Sequence, residues 1–215
     1  MEDKLGWLDN KWDTSNKIKI SIRDRGLRVG DGIFETILIL KGKIHLLSEH
    51  LERWNNGAHI LGMAPPPKQE LIESLIKQGI SKLSLGGKNG IVRLNWSRGN
   101  NFNQGIELTN IEQNKANHKF WLEINEGNPV FREVSAMVSQ NEQRNPASLL
   151  SKCKTFNYGQ AIQAKREANE AGYEESILLN IYGKVCCGST SNLLVNRSNE
   201  WFTPPLKSGC LPGIM

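Results

Sequence analysis

The sequence predicts a mixed α+β protein built from two subdomains. Helical and strand patterns interleave along the 215 residues, which excludes a purely helical and a purely β architecture. Near the middle, Glu-Gly-Asn-Pro at 126–129 combines turn-forming residues with a break between apolar runs. We therefore expect a smaller amino-terminal α/β subdomain over residues 1–125, a linker over 126–131 and a larger carboxyl-terminal subdomain over 132–215.

Composition is that of an ordinary globular chain, with 38% hydrophobic and 23% charged residues. A membrane-spanning helix needs about 18 consecutive apolar residues, whereas the run Ile37–Leu40 holds only four. The amino-terminal residues lack the basic and apolar regions of a signal peptide. These features predict a cytoplasmic protein with no membrane partner.

Charge and cysteine usage exclude further classes. The net charge is +5, but Lys and Arg are scattered singly and form no basic run, so no nucleic-acid partner is expected. The four cysteines have neither CxxC spacing nor enough histidine neighbours for a zinc site. We expect reduced thiols and no metal at these positions, which are Cys153, Cys186, Cys187 and Cys210.

The amino-terminal subdomain is expected to open with strands. Isoleucines alternate with polar residues over Ile18–Ile22, which is the period of a half-buried strand. The β-branched run 33–40 predicts a second strand. It turns at Lys-Gly-Lys, residues 41–43, into a short partner through 45–46, so the pair should form a hairpin.

Two helices should follow this hairpin. Ser48 is placed as the N-cap of a helix over 49–61, in which apolar residues recur at helical spacing and after which Gly62 provides a stop. Three prolines then precede a second amphipathic helix over 68–83.

The remaining pattern alternates strands and loops around one more helix. We expect strands over 90–97, 118–124 and 133–139, with a surface loop over 98–117 rich in Asn, Gln and Gly. The order expected after residue 146 is a helix over 157–171 ended by Gly172, a strand over 176–179, a turn at 182–183 and strands to about 195.

Three local features can carry chemistry, although each is ordinary when taken alone. Arg53 lies on the first long helix, Lys154 lies just before the last one, and Gly-Ser-Thr-Ser-Asn at 188–192 follows a strand. Singly they would be a solvated arginine, a surface lysine and a polar turn. A turn of that composition can also present backbone N–H and hydroxyl donors to an anion.

Five ordered segments carry a more specific pattern. They are Asp-Arg-Gly-Leu at 24–27 with Gly-Asp-Gly-Ile-Phe-Glu-Thr at 30–36, Glu-His-Leu-Glu-Arg at 49–53, Lys-Thr-Phe-Asn-Tyr at 154–158, Gly-Ser-Thr-Ser-Asn at 188–192, and Thr-Pro-Pro at 203–205 with Gly-Cys-Leu-Pro-Gly-Ile at 209–214. In order and spacing they resemble the class IV aminotransferase family, the fold-type IV pyridoxal-phosphate (PLP) enzymes, across the whole chain.

The resemblance implies a PLP-dependent enzyme in which Lys154 is the Schiff-base lysine and the catalytic base, because a lysine amine can bond the cofactor aldehyde and then move the substrate proton. Tyr158 matches a position that hydrogen-bonds the phenolic oxygen of the cofactor. A guanidinium and backbone N–H groups suit the phosphate, and the residues matched to that role are Arg53, Ser191, Asn192, Ile214 and Met215. Contact with a small amino or carboxylate substrate is assigned to Arg98, Arg144 and Phe34.

One position departs from the family pattern. Cys187 stands before Gly-Ser-Thr-Ser-Asn, where the family typically has a Glu that pairs with the pyridinium nitrogen of the cofactor. A carboxylate keeps that nitrogen protonated and the ring electron-withdrawing, whereas a thiol does so poorly. The consequence is a weaker electron sink, an altered reaction or a paralogue without efficient turnover.

The resemblance leaves three functions open. The preferred one is 4-amino-4-deoxychorismate lyase, which releases 4-aminobenzoate and pyruvate: Met215 and the short connecting segments favour it, and aromatisation of that substrate lessens the need for a strong electron sink. Gly-Ser-Thr-Ser-Asn favours a branched-chain or D-amino-acid aminotransferase. A non-catalytic protein that retains the fold is the third. In the resemblance, residues 188–192 match one phosphate loop of the family and residues 203–205 with 209–214 match a second. The resemblance also implies a homodimer, and a chain shortened after that second loop.

Overall fold

The computed structural model describes residues 4–101, 105–108 and 117–214. The chain divides into two compact units, Met1–Pro129 and Val130–Met215. Glu126, which sequence reasoning assigns to the linker, is the last residue of a strand in the first unit. In the described part of the chain, no helix is long and apolar enough to cross a membrane.

The first unit is an antiparallel sheet with helices packed on it. Its strands are β1 (Lys4–Leu8), β2 (Lys11–Thr14), β3 (Gly32–Leu40), β4 (Lys43–Ile44), β5 (Gly90–Ser97) and β6 (Lys119–Glu126). Its helices are α1 (Arg25–Val29), α2 (Leu47–Ile60) and α3 (Gln69–Lys82). Among the described residues, the six strands lie in the order β2-β1-β6-β5-β3-β4.

The long central strands hold the core of this unit. The ladder between β3 and β5 runs from Gly32 opposite Ser97 to Ile39 opposite Gly90. Alternate apolar side chains of β3, β5 and β6 face the apolar sides of α2 and α3, as the two periodicities require. The largest fully buried side chains there are Trp54, Ile33, Ile37, Ile39, Ile72, Ile76, Leu85, Leu94, Leu122 and Ile124.

Several predictions for this unit are confirmed. The hairpin of β3 and β4, the helix predicted over 68–83 and the strand predicted over 90–97 all form. The helix predicted over 49–61 also forms, although it begins earlier. The surface loop predicted over 98–117 lies partly outside the described residues, and its first residues are buried rather than exposed.

Two predictions for this unit are wrong. Ile18–Ile22 is not a strand: it pairs with none of the described strands, although Ile18 and Ile20 are half-buried and Ile18 packs next to Gly6 of β1. Ser48 is not the N-cap of α2, since the helix begins at Leu47 after Leu46 in a left-handed conformation. The Ser48 hydroxyl instead donates to the Glu49 carboxylate at 2.8 Å.

The second unit is a small sheet with one long helix. It contains β7 (Ala136–Arg144), α4 (Gly159–Glu170), β8 (Glu175–Asn180) and β9 (Val185–Gly188). A hairpin of β10 (Val195–Arg197) and β11 (Glu200–Phe202) follows. β7 is parallel to β8, so α4 is the crossover between them, and β9 returns antiparallel to β8.

Sequence reasoning located the helix and the strands of this sheet but not all of their limits. The strand predicted over 133–139 begins at Ala136 and continues to Arg144. Its added residues show no apolar alternation, and the Arg144 side chain donates a hydrogen bond to the Gly209 carbonyl. The strand predicted to continue to about 195 ends at Gly188. β11 was not predicted, because Trp201 and Phe202 are too few to give a period.

Candidate active site

A cavity of about 270 Å³ lies in the second unit, within the β7–α4 connection and the loop after β9. Its walls contain a primary amine, a phenol, two thiols, a guanidinium and several hydroxyl groups. Among the residues that line it are six of the sequence-predicted site residues, namely Arg144, Lys154, Tyr158, Cys187, Ser191 and Asn192. The fold therefore brings together residues from the end of β7, from the connection before α4 and from the loop after β9.

Lys154 and Tyr158 form the centre of this cavity. The chain passes through a 3-10 turn over Leu149–Lys152, and Tyr158 is the N-cap residue of α4. This geometry lets the Lys154 Nζ donate a hydrogen bond to the Tyr158 hydroxyl at 3.0 Å. Both side chains are half-buried. An amine held against a phenol at a cavity wall is positioned to meet a small carbonyl compound.

The polar loop over 188–192 closes on itself and on the carboxyl-terminal segment. The Gly188 N–H donates to the Ser191 carbonyl at 2.8 Å, and a Cβ at Gly188 would overlap the Ser191 hydroxyl. The Asn192 side-chain amide donates to the Leu211 carbonyl at 2.9 Å. Asn192 thus fixes the two predicted phosphate loops to each other. Ile214 is half-buried and does not line the cavity, while Met215 lies outside the described residues.

Glu175 is a neighbour of this loop that sequence reasoning did not place. Its Oε1 accepts from the Ser189 hydroxyl at 2.6 Å and from the Ser189 N–H at 3.2 Å. Burial raises the pKa of this carboxyl, but hydrogen bonds from Ser189 and the Ser176 N–H outweigh it, so the pKa lies below its ordinary value. Strand pairing of β8 with β9 creates this contact, and no local sequence signal marks it.

Arg144 lies at the end of β7 and lines the cavity. Its hydrogen bonds to other described residues are long and go to neutral acceptors: the Gly209 carbonyl at 3.3 Å, the Gln160 side chain at 3.3 Å and the Ser151 carbonyl at 3.4 Å. Within the described residues, no carboxylate lies within ion-pair distance of this guanidinium. The cavity therefore carries an uncompensated positive charge that suits an anionic group.

Arg53 lies on α2 in the first unit and is paired with a buried acid. Its Nε and Nη2 donate to the two carboxylate oxygens of Glu35 at 2.8 and 2.6 Å. His50 Nδ1 lies 2.8 Å from Glu35 Oε2, and because a carboxylate only accepts, this nitrogen carries the proton. Burial raises the pKa of Glu35, but the bonds from Arg53 and His50 outweigh it and the pKa is lowered. The guanidinium is thereby fixed in one orientation.

The Asp-Arg-Gly and Gly-Asp-Gly motifs build a second buried network in this unit. Asp31 Oδ2 accepts from Arg25 Nε at 2.7 Å and from Arg98 Nε at 2.9 Å. Arg98 also donates to the carbonyls of Leu61 and Gly62 at 2.8 and 2.9 Å. These bonds occupy three of the five N–H donors of this guanidinium, and Arg98 is only 5% exposed. The substrate role of Arg98 stays a prediction.

Phe34, the other residue of the first unit assigned to the substrate, is buried in β3. The Arg93 guanidinium lies 3.6 Å from the centroid of its ring, the distance of a cation–π contact. Phe34 therefore has a packing role in this unit, and its contact with a substrate stays a prediction.

Comparison with known proteins agrees with this architecture. The chain is 27% identical to a putative branched-chain-amino-acid aminotransferase of Methanocaldococcus jannaschii, over 97% of this chain and 70% of that relative. The solved fold IV-transaminase CpuTA1 from Curtobacterium pusillum matches 100% of this chain and 76% of its own, with a TM-score of 0.82 and 22% identity. A putative 4-amino-4-deoxychorismate lyase from Legionella pneumophila matches 93% of this chain and 71% of its own, with a TM-score of 0.80 and 25% identity.

The fold is that of the fold-type IV transaminases, which confirms the predicted fold class. The chain belongs to the amino-transferase class IV family, whose model matches residues 32–215. Members of this family bind PLP. The donor set of the cavity fits such a group, because its walls carry the amine of Lys154, which can condense with an aldehyde, and the hydroxyls of Tyr158 and Ser191, which can donate to oxygen acceptors. Cys187, the position that departs from the family pattern in the sequence, also lines this cavity.

Proposed function

We propose that this chain binds PLP and transfers the amino group of a small amino acid. The observation that supports it is the hydrogen-bonded pair of Lys154 and Tyr158 in the wall of the cavity. PLP, when bound, supplies an aldehyde that condenses with amines and a ring that withdraws electrons from the substrate carbon.

Lys154 acts at two points in this proposal. Its Nζ binds the cofactor aldehyde and later takes and returns the proton of the substrate carbon. The Tyr158 hydroxyl, 3.0 Å away, fixes the amine at the cavity wall before the cofactor enters. We assign Tyr158 to the phenolic oxygen of the cofactor and Cys187 to its ring.

The phosphate is assigned to two sets of donors. One is the loop containing Ser191 and Asn192, with the backbone of Ile214 and Met215. The other is Arg53, whose guanidinium Glu35 holds through two hydrogen bonds. A guanidinium with fixed orientation binds a phosphate with less loss of conformational entropy. Arg144, Arg98 and Phe34 are assigned to the substrate, and Arg144 is best suited to a carboxylate because it has no acidic partner among the described residues.

A lyase reaction on 4-amino-4-deoxychorismate is the second candidate for the same site. Cys187 supports it, because elimination driven by aromatisation depends less on a strong electron sink. A structural neighbour from Legionella pneumophila carries that name. Transamination is preferred because the archaeal relative that matches 97% of the chain is named a branched-chain-amino-acid aminotransferase. A D-amino acid is the alternative substrate for transamination.

The assignment of Lys154 is tested by trapping. The protein is incubated with PLP, reduced with borohydride and digested, and the modified peptide is identified by mass spectrometry. We expect the cofactor mass on Lys154, and its loss in Lys154→Ala. Lys152→Ala is the matched control, since Lys152 is an exposed lysine two residues away. Modification that persists in Lys154→Ala would contradict the assignment.

The reaction is tested with a panel of substrates. The PLP-loaded protein is given branched-chain amino acids or D-alanine with 2-oxoglutarate, and separately 4-amino-4-deoxychorismate. We expect glutamate from the first set. Formation of 4-aminobenzoate without glutamate would replace transamination by the lyase reaction. PLP binding without any product would favour a non-catalytic protein. Cys187→Glu should raise the turnover if the missing carboxylate limits it.

The partners and location inferred from sequence remain part of the proposal. A homodimer in the cytoplasm is expected, with small amino or carboxylate substrates. Sedimentation of the purified protein tests the dimer, and a monomeric species with full PLP binding would contradict it.

A further inference from the structure

Glu175 is the first residue of β8 and lies against the loop that follows β9. The two strands are antiparallel, and Ile177 is opposite Gly188. Two residues before Ile177, Glu175 therefore reaches the residues that come directly after Gly188. Its Oε1 accepts from the Ser189 hydroxyl at 2.6 Å and from the Ser189 N–H at 3.2 Å. One carboxylate thus joins two segments that are 14 residues apart in the chain.

These bonds decide what the Ser189 side chain can still do. A serine hydroxyl has one proton to donate and two lone pairs with which to accept. The proton is given to Glu175, and the 2.6 Å distance is that of a charge-assisted O–H···O⁻ bond. The backbone N–H of Ser189 is given to the same carboxylate oxygen. Any further hydrogen bond of this hydroxyl must therefore come from a donor.

The Glu175 carboxylate is held in its ionised form. Burial raises its pKa, but the hydrogen bonds from Ser189 and the Ser176 N–H outweigh burial, so the pKa lies below its ordinary value. Lys165 Nζ lies 3.7 Å from the other carboxylate oxygen, Oε2. A carboxylate that keeps its charge polarises the hydroxyl bonded to it, which makes the Ser189 oxygen a stronger acceptor.

This acceptor belongs to the wall of the candidate active site. Ser189 lines the cavity together with Lys154 and Cys187, whereas Glu175 is not one of its lining residues. Cys187 stands two residues before Ser189, at the position where the family typically has a glutamate. The sulfur of a thiol accepts hydrogen bonds only weakly. The wall that lacks this glutamate therefore still contains an oxygen that a buried carboxylate polarises.

We propose that Glu175 is a positioning residue that acts through Ser189, and that its charge makes the Ser189 hydroxyl the acceptor for the pyridinium N–H of PLP, where the family uses a glutamate. The hydroxyl keeps its proton directed at Glu175 while a lone pair of the same oxygen accepts. Ser189 suits a protonated aromatic nitrogen rather than a phosphate, whose oxygens need donors. Glu175 has this role only if the cavity binds PLP, so the assignment rests on the proposed function.

The protonation state of the ring nitrogen tests this assignment. The chain is loaded with PLP that carries ¹⁵N in the ring, and the nitrogen shift is followed by NMR as the pH is varied, with free PLP at low and high pH as references. Glu175→Gln should lower the pH midpoint at which the nitrogen loses its proton by about one unit or more, because an opposite charge within about 4–6 Å shifts a pKa by about 1–3 units. Glutamine keeps an acceptor oxygen for Ser189, so a merely structural contact would leave the midpoint unchanged.

Glu174→Gln is the matched control, because Glu174 is an exposed acid one residue away that pairs with Arg132. A midpoint that falls equally in the two variants, or that does not fall in Glu175→Gln, would overturn the proposal. Ser189→Ala should also lower the midpoint, and Ser189→Thr, which keeps a hydroxyl, should restore it. Circular dichroism establishes that each variant is folded. If folded Ser189→Ala keeps the original midpoint, the charge does not act through this hydroxyl and the proposal is wrong.

A double substitution separates this role from a general effect of charge. In Cys187→Glu a carboxylate stands at the family position, so the further change Glu175→Gln should lower the midpoint much less than it does beside Cys187. An equal fall in both backgrounds would contradict the proposal. Trapping of PLP on Lys154 is measured on the same samples. If no PLP is trapped there, the proposed function and this assignment both fail. If PLP is trapped and the midpoint does not respond to Glu175, only this assignment fails.

Discussion

Replacement of Glu35 by Gln should strongly destabilise the amino-terminal unit. The Glu35 side chain is 0% exposed and the Arg53 side chain only 11%, so the ion pair is shielded from water. Removing one partner of a buried pair costs about 3–5 kcal/mol, because the remaining charge is left without compensation. Gln keeps one acceptor oxygen and Arg53 reaches some solvent, which places the expected loss near the lower end, at about 3 kcal/mol.

Urea denaturation followed by tryptophan fluorescence measures this loss. With a slope of about 2 kcal/mol per molar urea, the midpoint should fall by about 1.5 M. Glu52→Gln is the matched control, since Glu52 precedes Arg53 on α2 and its side chain is exposed. We expect the control to change the free energy of unfolding by less than about 0.5 kcal/mol. A loss below about 1 kcal/mol in Glu35→Gln would refute the argument.

A double substitution identifies the source of the loss. If the unpaired Arg53 charge causes it, Glu35→Gln combined with Arg53→Met should be less destabilised than the sum of the single variants. Acid titration gives an independent check. The pKa of Glu35 in the folded protein is lower than 4.5, so its stabilisation is present above about 4.5 and is lost as the pH falls through the lowered value. That part of the acid dependence should disappear in Glu35→Gln.

Two further predictions concern packing and backbone geometry. Ile124→Ala should lower the free energy of unfolding, measured by urea denaturation, by about 2–5 kcal/mol, because this core side chain is 0% exposed. Ile22→Ala is the control, and at an 82% exposed position it should cost less than about 0.5 kcal/mol. Equal losses would contradict the burial assignment. Gly99→Ala should lower the soluble yield and the melting temperature more than Gly62→Ala, because both glycines have positive φ but only a Cβ at 99 would overlap the Asn117 carbonyl oxygen. A larger effect at 62 would place the constraint in the backbone angle alone.

The residues of the site illustrate what local sequence can predict. Lys154 and Tyr158 lie in one short matched segment, so the sequence identified both residues, but their contact forms across the irregular connection between the 3-10 turn and α4 and did not follow from a helical period. The strong period of α3 and the β-branched run of β3 likewise identified those elements. Prediction was wrong at Ile18–Ile22, since an alternating pattern predicts a strand only where a partner strand is available.

The remaining features depend on contacts between distant segments. Glu35 and Arg53 lie 18 residues apart, and their bidentate pair exists because α2 packs on β3. Likewise, the motif residues Asp31 and Arg98 form a buried structural network that a motif cannot distinguish from a substrate contact.

The sequence by itself determined the fold class, the family pattern and the lysine at its centre, because these depend on local periodicity and on short segments in a fixed order. Only the tertiary structure decided what surrounds that lysine. A bulge in β9 turns Cys186 and Cys187 into one buried cluster, and strand pairing places Glu175 against Ser189. Burial then acts on each group through neighbours that are remote in the chain. Glu175 is the clearest case: burial raises the pKa of its carboxyl, but hydrogen bonds from Ser189, 14 residues away in the chain, and from the Ser176 N–H outweigh it.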